Sequence, residues 1–495
     1  MIDPSSLPFL PVTTLRTLIS SSEVTSIELL DAFLARVKVL NPSLNAIIIL
    51  DEKAARERAR FADIATKQNV SWGRLHGIPF TVKENCHVAS MDCTIGDPLL
   101  VQKPSATSEP VVARLIEAGA IIFGKTNLPE AAADWQSYNL VYGSTNNPFN
   151  LELTPGGSSG GSASALAACL TPFEIGGDIG GSIRIPASFC SLFGHKPTYQ
   201  ILAKPGSPGN QLDLSVRGPL ARCANDLKLL MEVCTTLNGP AKGFIPVLAP
   251  STKTDITEFR VALIESDPVC PVNEETRTLV KSVARRLRKL RCAVITENIE
   301  LPFDSEMMMK VYLKLLSATL FGDLDESSTM MEKLKVDAGK YSDNDESIDA
   351  TAARAPFQTL FQYRKANSQR HEFRTRWEKF FENYDVLIAP IFATPAFQHD
   401  CTPADHPFWR PSARTLCVDG VDTPYHHHVF WSALTTTCYL PSTAFPAGIG
   451  SESGLPIGLQ IVCREGADLM AIQFAACLEE QGYKCVSPPA PYGCA

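Results

Sequence analysis

The chain has 495 residues, of which 45% are hydrophobic and 20% charged, and a formal net charge of -8. A chain of this length buries a large core without help from disulfides or metals, and its composition fits one large α/β domain with insertions. The acidic balance, with no dense Lys/Arg block, excludes a nucleic-acid scaffold.

Residues 10–67 read as helices. Thr25-Ser26-Ile27-Glu28 forms a capping box, and Leu29, Leu30, Phe33, Leu34, Val37 and Leu40 follow at helical spacing. Asn41-Pro42 is the expected stop. From about residue 74 the texture changes. Residues 78–82 read as a short buried strand that delivers Lys83. Ser108 caps a predicted helix reaching Gly119, with Pro110 in its first turn, and 120–124 is the next strand. Strand, helix, strand in this order implies a mixed or parallel sheet covered by helices.

The stretch 156–198 is richest in glycine and small residues. GGSSGG leads into a helix, SASALAACL; Phe173-Glu174-Ile175, a glycine turn from Gly176 to Gly181 and a second helix start at 182–186 follow. The chain loosens at AKPGSPGN (203–210). Residues 255–385 form an α/β stretch with long polar helices, the last of which, FRTRWEKFFENY, precedes the strand DVLIAP. Residues 320–352 are acidic and read as a surface insertion. GLPIGLQIV (454–462) is a strand, and a helix closes the chain.

The 15 cysteines are odd in number, scattered, and form no C-x-x-C pair. MIDPSSLPFLPV lacks the basic and apolar regions of a signal peptide, and no apolar run approaches the ~18 residues of a membrane span. PYGCA is neither a prenylation box nor a peroxisomal tripeptide. The expectation is a cytoplasmic protein without a membrane span, its thiols reduced and mostly filling the core.

Asp178-Ile179-Gly180-Gly181-Ser182, at a helix start, points several N–H groups one way, which is an anion site by geometry. No phosphate-loop or dinucleotide pattern occurs at these glycines. A hydroxyl inside such a nest suggests a nucleophile beside its own oxyanion hole. A serine nucleophile needs a base. Among the nine histidines, His195 and the run His426-His427-His428 stand out, but none has a spacing that specifies a triad, and triads assemble across the fold. G-x-S-x-G occurs twice, around Ser158 and Ser159. The strand that a nucleophile elbow needs is missing before it, because 146–155 is turn-like and carries two prolines.

GGSSGGSASALAACLTPFEIGGDIGGSIRIPASFCSLFGHKPT resembles the signature of the amidase signature hydrolases. GRLHGIPFTVKEN, GAIIFGKTNLPE, GSTNNPFN, GPLAR, YDVLIAP and GLPIGLQIV are similar to further family landmarks, in the right order, over roughly residues 10–480. The resemblance implies an α/β fold with a central mixed, twisted β-sheet covered by helices on both faces. It divides a single domain, 1–495, into N-terminal helices (10–70), a catalytic core (71–240), a divergent substrate-determining part (241–440) and a C-terminal strand and helix (441–495).

It also implies a Ser-Ser-Lys triad: Ser182 as nucleophile, Ser158 as bridging serine on a cis peptide, and Lys83 as base. The backbone N–H groups of Ile179, Gly180, Gly181 and Ser182 match its oxyanion hole, and Ser159, Asp178 and Arg184 are expected to support the nest. An ordinary lysine, with a pKa of ~10.4, is charged at neutral pH; holding Lys83 neutral there requires desolvation worth about 4 kcal/mol. The family commonly has Gly where this chain has Cys169 and Ser191, and a hydroxyl residue where it has Gly177.

The expected activity is hydrolysis of a carboxylic amide through an acyl-enzyme, with esters and carbamates as further substrates of the same oxyanion hole. Ala131, Ala132, Ala133, Asp134 and Trp135 occupy the stretch that lines the acyl pocket in similar enzymes. Small alanines leave room and Trp135 offers a stacking face. With Phe392, Phe408, Trp409, Tyr425 and Trp431 in the divergent half, this points to a hydrophobic or aromatic acyl group. A small-molecule amide is the expected partner; the family allows a homodimer. Neither cofactor nor metal is expected. His195 reads as a structural histidine. His426 and His428 would share one face of a strand and, with no carboxylate or cysteine motif beside them, read as a rim loop. The rival readings are an amidotransferase A-type subunit, whose members usually carry Gln where this chain has Ile185, and a non-catalytic binding protein, which the intact Lys83, Ser158 and Ser182 oppose.

Overall fold

Strand alternation builds the main sheet. In the strand Val386–Pro390, Val386 and Ile388 join one apolar cluster while Leu387 and Ala389 join another. In Arg260–Leu263, Val261 and Leu263 face the first cluster and Ala262 the second. This is the two-residue period of strands covered on both faces.

The computed structural model describes residues 3–202, 213–235, 248–322, 324–325, 327–401 and 414–493. Its eight-stranded sheet runs in the order Val294–Thr296, Arg260–Leu263, Val386–Pro390, Pro456–Val462, Ser442–Ile449, Phe193–Lys196, Val216–Ala221, Glu174–Asp178. The first three strands are parallel and every later neighbour is antiparallel, so the sheet is mixed, as expected. The helices Ala224–Thr235, Glu274–Lys289 and Asp468–Glu480 cover one face. Ser305–Phe321, Leu360–Asn383 and Phe430–Thr436 cover the other.

The strand that carries Lys83, Pro79–Lys83, lies outside this sheet. It pairs in parallel with Ile121–Thr126 across the helix Pro110–Glu117, and Ile47–Leu50 completes a separate three-stranded sheet. A buried carboxyl ties the two sheets together: Thr81 and Thr126 both donate to Glu174 on the edge strand of the large sheet. The lysine is thereby delivered beside the glycine turn that follows Glu174–Asp178.

Several local expectations change. The Thr25 capping box forms, but its helix runs on to Leu44 past Pro42 and stops at Asn45, whose φ is 49°. Asn41 caps that exit instead, its side-chain oxygen accepting from the N–H groups of Ala46 and Ile47. Residues 10–67 are not wholly helical, because the apolar run at Ile47–Leu50 pairs as a strand. Glu109, not Ser108, precedes the helix at Pro110; the Ser108 hydroxyl accepts from the Ala89 N–H. In the acidic insertion, Ile348–Arg354 packs on Ser305–Phe321, and Thr329–Ala338 packs on Ile348–Arg354. Residues 203–210, Phe408 and Trp409 lie outside the described residues. Among those described, every cysteine is a free thiol and no helix is long and apolar enough to cross a membrane.

Candidate active site

Two glycine turns meet where backbone must touch backbone. A Cβ on Gly157 would collide with the main chain of Gln136 and Asp134, and one on Gly161 with that of Asn127, so only glycine fits. The Gly157–Ser158 peptide is cis, the form the family resemblance implies. Ser158 follows it directly, and Lys83 Nζ donates to Ser158 Oγ at 2.6 Å.

Lys83 is 1% exposed. Burial first, and then the positive charge of Arg217, lowers its pKa from the ordinary 10.5 to about 7. Desolvation disfavours the charged form of a lysine, so much of it is neutral at neutral pH. Glu84, its neighbour in sequence, forms no salt bridge with it: the Glu84 carboxylate accepts from the N–H groups of Thr94 and Ile95 and only offsets part of the lowering from a distance.

Ser182 shares one cavity with Lys83 and Ser158. The cavity measures about 180 Å³, and its walls include Ala131, Ala132, Ala133, Trp135, Tyr312 and Tyr425. A ~150 Å³ apolar cavity accepts a benzene ring, so this space takes a ring or a short chain. Trp135 presents its ring to the space and donates its indole N–H to the Gly180 carbonyl at 2.9 Å. Tyr425 and Phe392 pack against that indole at 5.0 and 5.7 Å between ring centroids. Trp431 is in the core and donates to the Cys270 carbonyl.

The second glycine turn is braced by Asp178. Its carboxylate accepts from the Gly181 N–H at 2.8 Å, from the Ile183 N–H at 3.2 Å, and from both Arg184 Nε and Nη2 at 3.0 and 2.9 Å. Burial alone would raise the Asp178 pKa; the Arg184 charge and hydrogen bonds outweigh it and hold the carboxyl below its usual range. The far side of Arg184 donates to Thr435, Thr436, Gln460 and the Ser432 carbonyl. Both charges are completely buried, so each depends on the other.

The four residues expected to form the oxyanion hole are not placed alike. The Gly181 N–H is bonded to Asp178 and Gly181 is not on the cavity wall, whereas Ile179, Gly180 and Ser182 are. Ser159 also stands off the cavity. Its N–H donates to the Ser182 carbonyl at 3.1 Å and its hydroxyl meets the Gly177 main chain at 3.4 Å, stitching the two turns together.

His195 is buried in the strand Phe193–Lys196, between Thr443 Oγ1 at 2.9 Å and Asp468 Oδ1 at 3.1 Å, both ring nitrogens satisfied. The other histidine reading needs correction. His426, His427 and His428 lie on a 3-10 turn, Tyr425–Val429, not a strand. A carboxylate does stand beside them: Asp349, from the insertion, meets His426 Nε2 at 2.7 Å and His427 Nε2 at 2.9 Å. These three groups are a donor set of the kind that holds metal ions, although the spacings are those of direct hydrogen bonds. His428 turns away, to Cys270 and Thr423.

Sequence reasoning missed Arg217, Tyr312 and Asp349. Arg217 lines the cavity, held by Glu109 and Asn85 through four hydrogen bonds of 2.7–3.0 Å. It immediately precedes the landmark GPLAR, which was its only signal. Tyr312 and Asp349 lie in the divergent half, where nothing local marks them.

The Amidase family profile matches residues 28–472. Curated relatives include the A subunit of the glutamyl-tRNA(Gln) amidotransferase of Geobacillus sp. (strain WCH70), 29% identical over 472 residues, covering 91% of this chain and 93% of that one. The Roseiflexus castenholzii protein of the same name is 30% identical over 478 residues, covering 92% of each chain. Among solved structures, a bacterial aryl acylamidase of the amidase signature family superposes with a TM-score of 0.79 at 22% identity, over 98% of this chain and 97% of that one. A protein described as an amidase gives 0.76 at 26%, over 95% and 100%, and a fatty acid amide hydrolase gives 0.78 at 20%, over 98% and 87%. A match that runs through the lysine strand, both glycine turns and the strands that hold them makes this chain a member of the amidase family, an amide hydrolase acting on carboxylic C–N bonds.

Proposed function

We propose that the protein cleaves amides with a hydrophobic or aromatic acyl group through Ser182, Ser158 and Lys83. The observation that carries this reading is the 2.6 Å hydrogen bond to Ser158 from a buried lysine whose pKa burial lowers to about 7, in the wall of the cavity that Ser182 enters. Ser182 Oγ attacks the carbonyl carbon, and its proton passes through Ser158 to Lys83. The oxyanion collects N–H donors from Ile179, Gly180 and Ser182. Lys83 returns the proton through Ser158 to the leaving nitrogen as the C–N bond breaks, since an amine leaves only when protonated. Water then cleaves the acyl ester with the same base. The cavity takes the acyl group between the three alanines and Trp135, and the segment 241–440 shapes it through Tyr312, Leu316, Leu320 and Tyr425.

A second reading, an amidotransferase A-type subunit, is favoured by the names of the curated relatives. Ile185 opposes it. Its side chain is fully buried beneath the Gly181 turn, where a Cβ on that glycine would touch Ile185 Cδ1. The deciding experiment is labelling with a fluorophosphonate, mapped by mass spectrometry, on wild type and Lys83→Ala, with an aryl amide and glutamine as substrates. Lys83-dependent labelling at Ser182 with anilide turnover supports the proposal. Labelling at another serine, or glutamine turnover without anilide turnover, overturns it.

A further inference from the structure

The four peptide planes of the turn from Ile179 to Ile183 are each held through a carbonyl. The Ile179 carbonyl accepts from Tyr312 Oη at 3.0 Å, and the Gly180 carbonyl from Trp135 Nε1 at 2.9 Å. The Gly181 carbonyl accepts from the Ile185 N–H at 2.8 Å and the Ser182 carbonyl from the Ser159 N–H at 3.1 Å. A trans peptide is planar, with its C=O and N–H pointing opposite ways. Fixing the carbonyl of residue 179 therefore aims the N–H of residue 180. Three of the four anchors belong to the glycine segments themselves or to the acyl-pocket stretch. The fourth, Tyr312, comes from the helix Ser305–Phe321 in the divergent half.

We propose that Tyr312 is a positioning residue of the oxyanion hole: its hydroxyl, by donating to the Ile179 carbonyl, holds the 179–180 peptide so that the Gly180 N–H faces the carbonyl oxygen under attack. The inference rests on the reaction proposed above. Three further observations support it. Gly180 has no side chain to fix its own rotation, and a Cβ there would meet the Tyr312 hydroxyl at 3.0 Å, so tyrosine and glycine fit as a pair. Tyr312 is fully buried and is one of the residues lining the cavity, so one side chain both walls the cavity and holds the peptide of the oxyanion donor. Burial also raises its pKa, so the hydroxyl remains a donor throughout the working pH range.

The test is Tyr312→Phe, which removes one oxygen and keeps the ring. Deleting an oxyanion donor outright costs about 10²–10³ in kcat, and a donor left in place but unaimed should cost about tenfold. The expected result is a fall in kcat of that size with KM changed less than about twofold, because the donor acts on the transition state and not on the bound amide. Affinity for a trifluoromethyl ketone, which forms a tetrahedral adduct on the serine, should fall by the same factor as kcat/KM. Affinity for the carboxylic acid product should not. Trp135→Phe provides a second variant: it loosens the peptide bearing the Gly181 N–H, which Asp178 still holds, and should reduce kcat less than Tyr312→Phe. Unchanged kcat in Tyr312→Phe, or a fall in kcat without weaker adduct formation, overturns the positioning role. Wild type that fails to label at Ser182 overturns the reaction itself, and this inference with it.

Discussion

Replacing Lys83 with methionine should abolish activity and make the protein more stable near neutral pH, and the size of the gain follows from the site. The Lys83 pKa falls from 10.5 to about 7 on folding. Each unit of pKa is worth about 1.4 kcal/mol, so at pH 7 the unfolded chain, which keeps the proton, is favoured by about 4 kcal/mol. Methionine fills much of the same volume and has no charge to desolvate. It loses the hydrogen bond to Ser158, worth about 1 kcal/mol, which leaves a net gain of about 3 kcal/mol at neutral pH. Between pH 7 and 10.5 the unfolded state binds more protons than the native state, so wild-type stability rises with pH across this window and the advantage of the variant shrinks by about 1.4 kcal/mol per pH unit. Urea unfolding of both proteins, followed by tryptophan fluorescence from about pH 6 to about pH 10, measures this directly. A variant no more stable than wild type at pH 7, or a difference that ignores pH, would refute the claim that Lys83 is held neutral by burial.

The same group predicts that kcat/KM rises tenfold per pH unit below about 7 and levels above it, as neutral Lys83 becomes available; a pH–rate profile from single-turnover acylation checks this. Glu174 is the opposite case. Burial pushes its carboxyl up to about 8, so its contribution is fully present below about 4.5 and lost as pH rises through 8. Glu174→Gln, which cannot ionise, should therefore gain on wild type by about 1.4 kcal/mol per pH unit across that window in urea melts. Ala133→Leu narrows the acyl wall and should lower kcat/KM for ring-bearing acyl anilides at least about tenfold while sparing acetanilide, read from a substrate series. His195→Asn removes the buried imidazole that links Thr443 to Asp468 and should cost about 1–3 kcal/mol of stability, yet Ser182 should still label with fluorophosphonate.

The parts of the site legible in the sequence were those that one stretch of chain writes by itself. GGSSGG specifies a turn because only glycine tolerates the approach of Gln136 and Asn127 backbone at Gly157 and Gly161, and GGDIGGSIRIP specifies one through Gly181, whose φ is +100°. PFTVK specifies a buried strand. The departures noted at Cys169 and Ser191 acquire a physical meaning: both have positive φ, 56° and 55°, the conformation that glycine adopts without steric cost. What stayed hidden depends on contacts between distant segments. The strand at Ile47–Leu50 is three β-branched residues and a leucine, and reads as helix until Ile121–Thr126 is there to pair with it. Asp349 meets the histidine turn from 77 and 78 residues away, in an insertion whose acidic composition marks it as surface and says nothing of what one carboxylate touches. Arg217 comes to the cavity wall it shares with Lys83 through the antiparallel pairing that sets it opposite Gly177.

That distribution bears on how substrate range and rate are coupled here. In the proposed reaction the glycine turn carries the oxyanion donors, but its orientation is fixed from outside. Arg184 holds Asp178 against Thr435, Thr436 and Gln460, and Tyr312 and Trp135 hold two of its carbonyls while also lining the cavity proposed to take the acyl group. A change that reshapes the cavity at Tyr312 also changes what pins the Gly180 N–H, whereas the peptide that Trp135 pins carries the Gly181 N–H, which Asp178 holds as well. Substitutions at Leu316 and Leu320, which line the cavity on the Tyr312 helix without bonding the turn, do not carry that penalty. Altered acyl preference at undiminished kcat is therefore to be sought at the leucines, and altered preference with the larger fall in kcat at Tyr312.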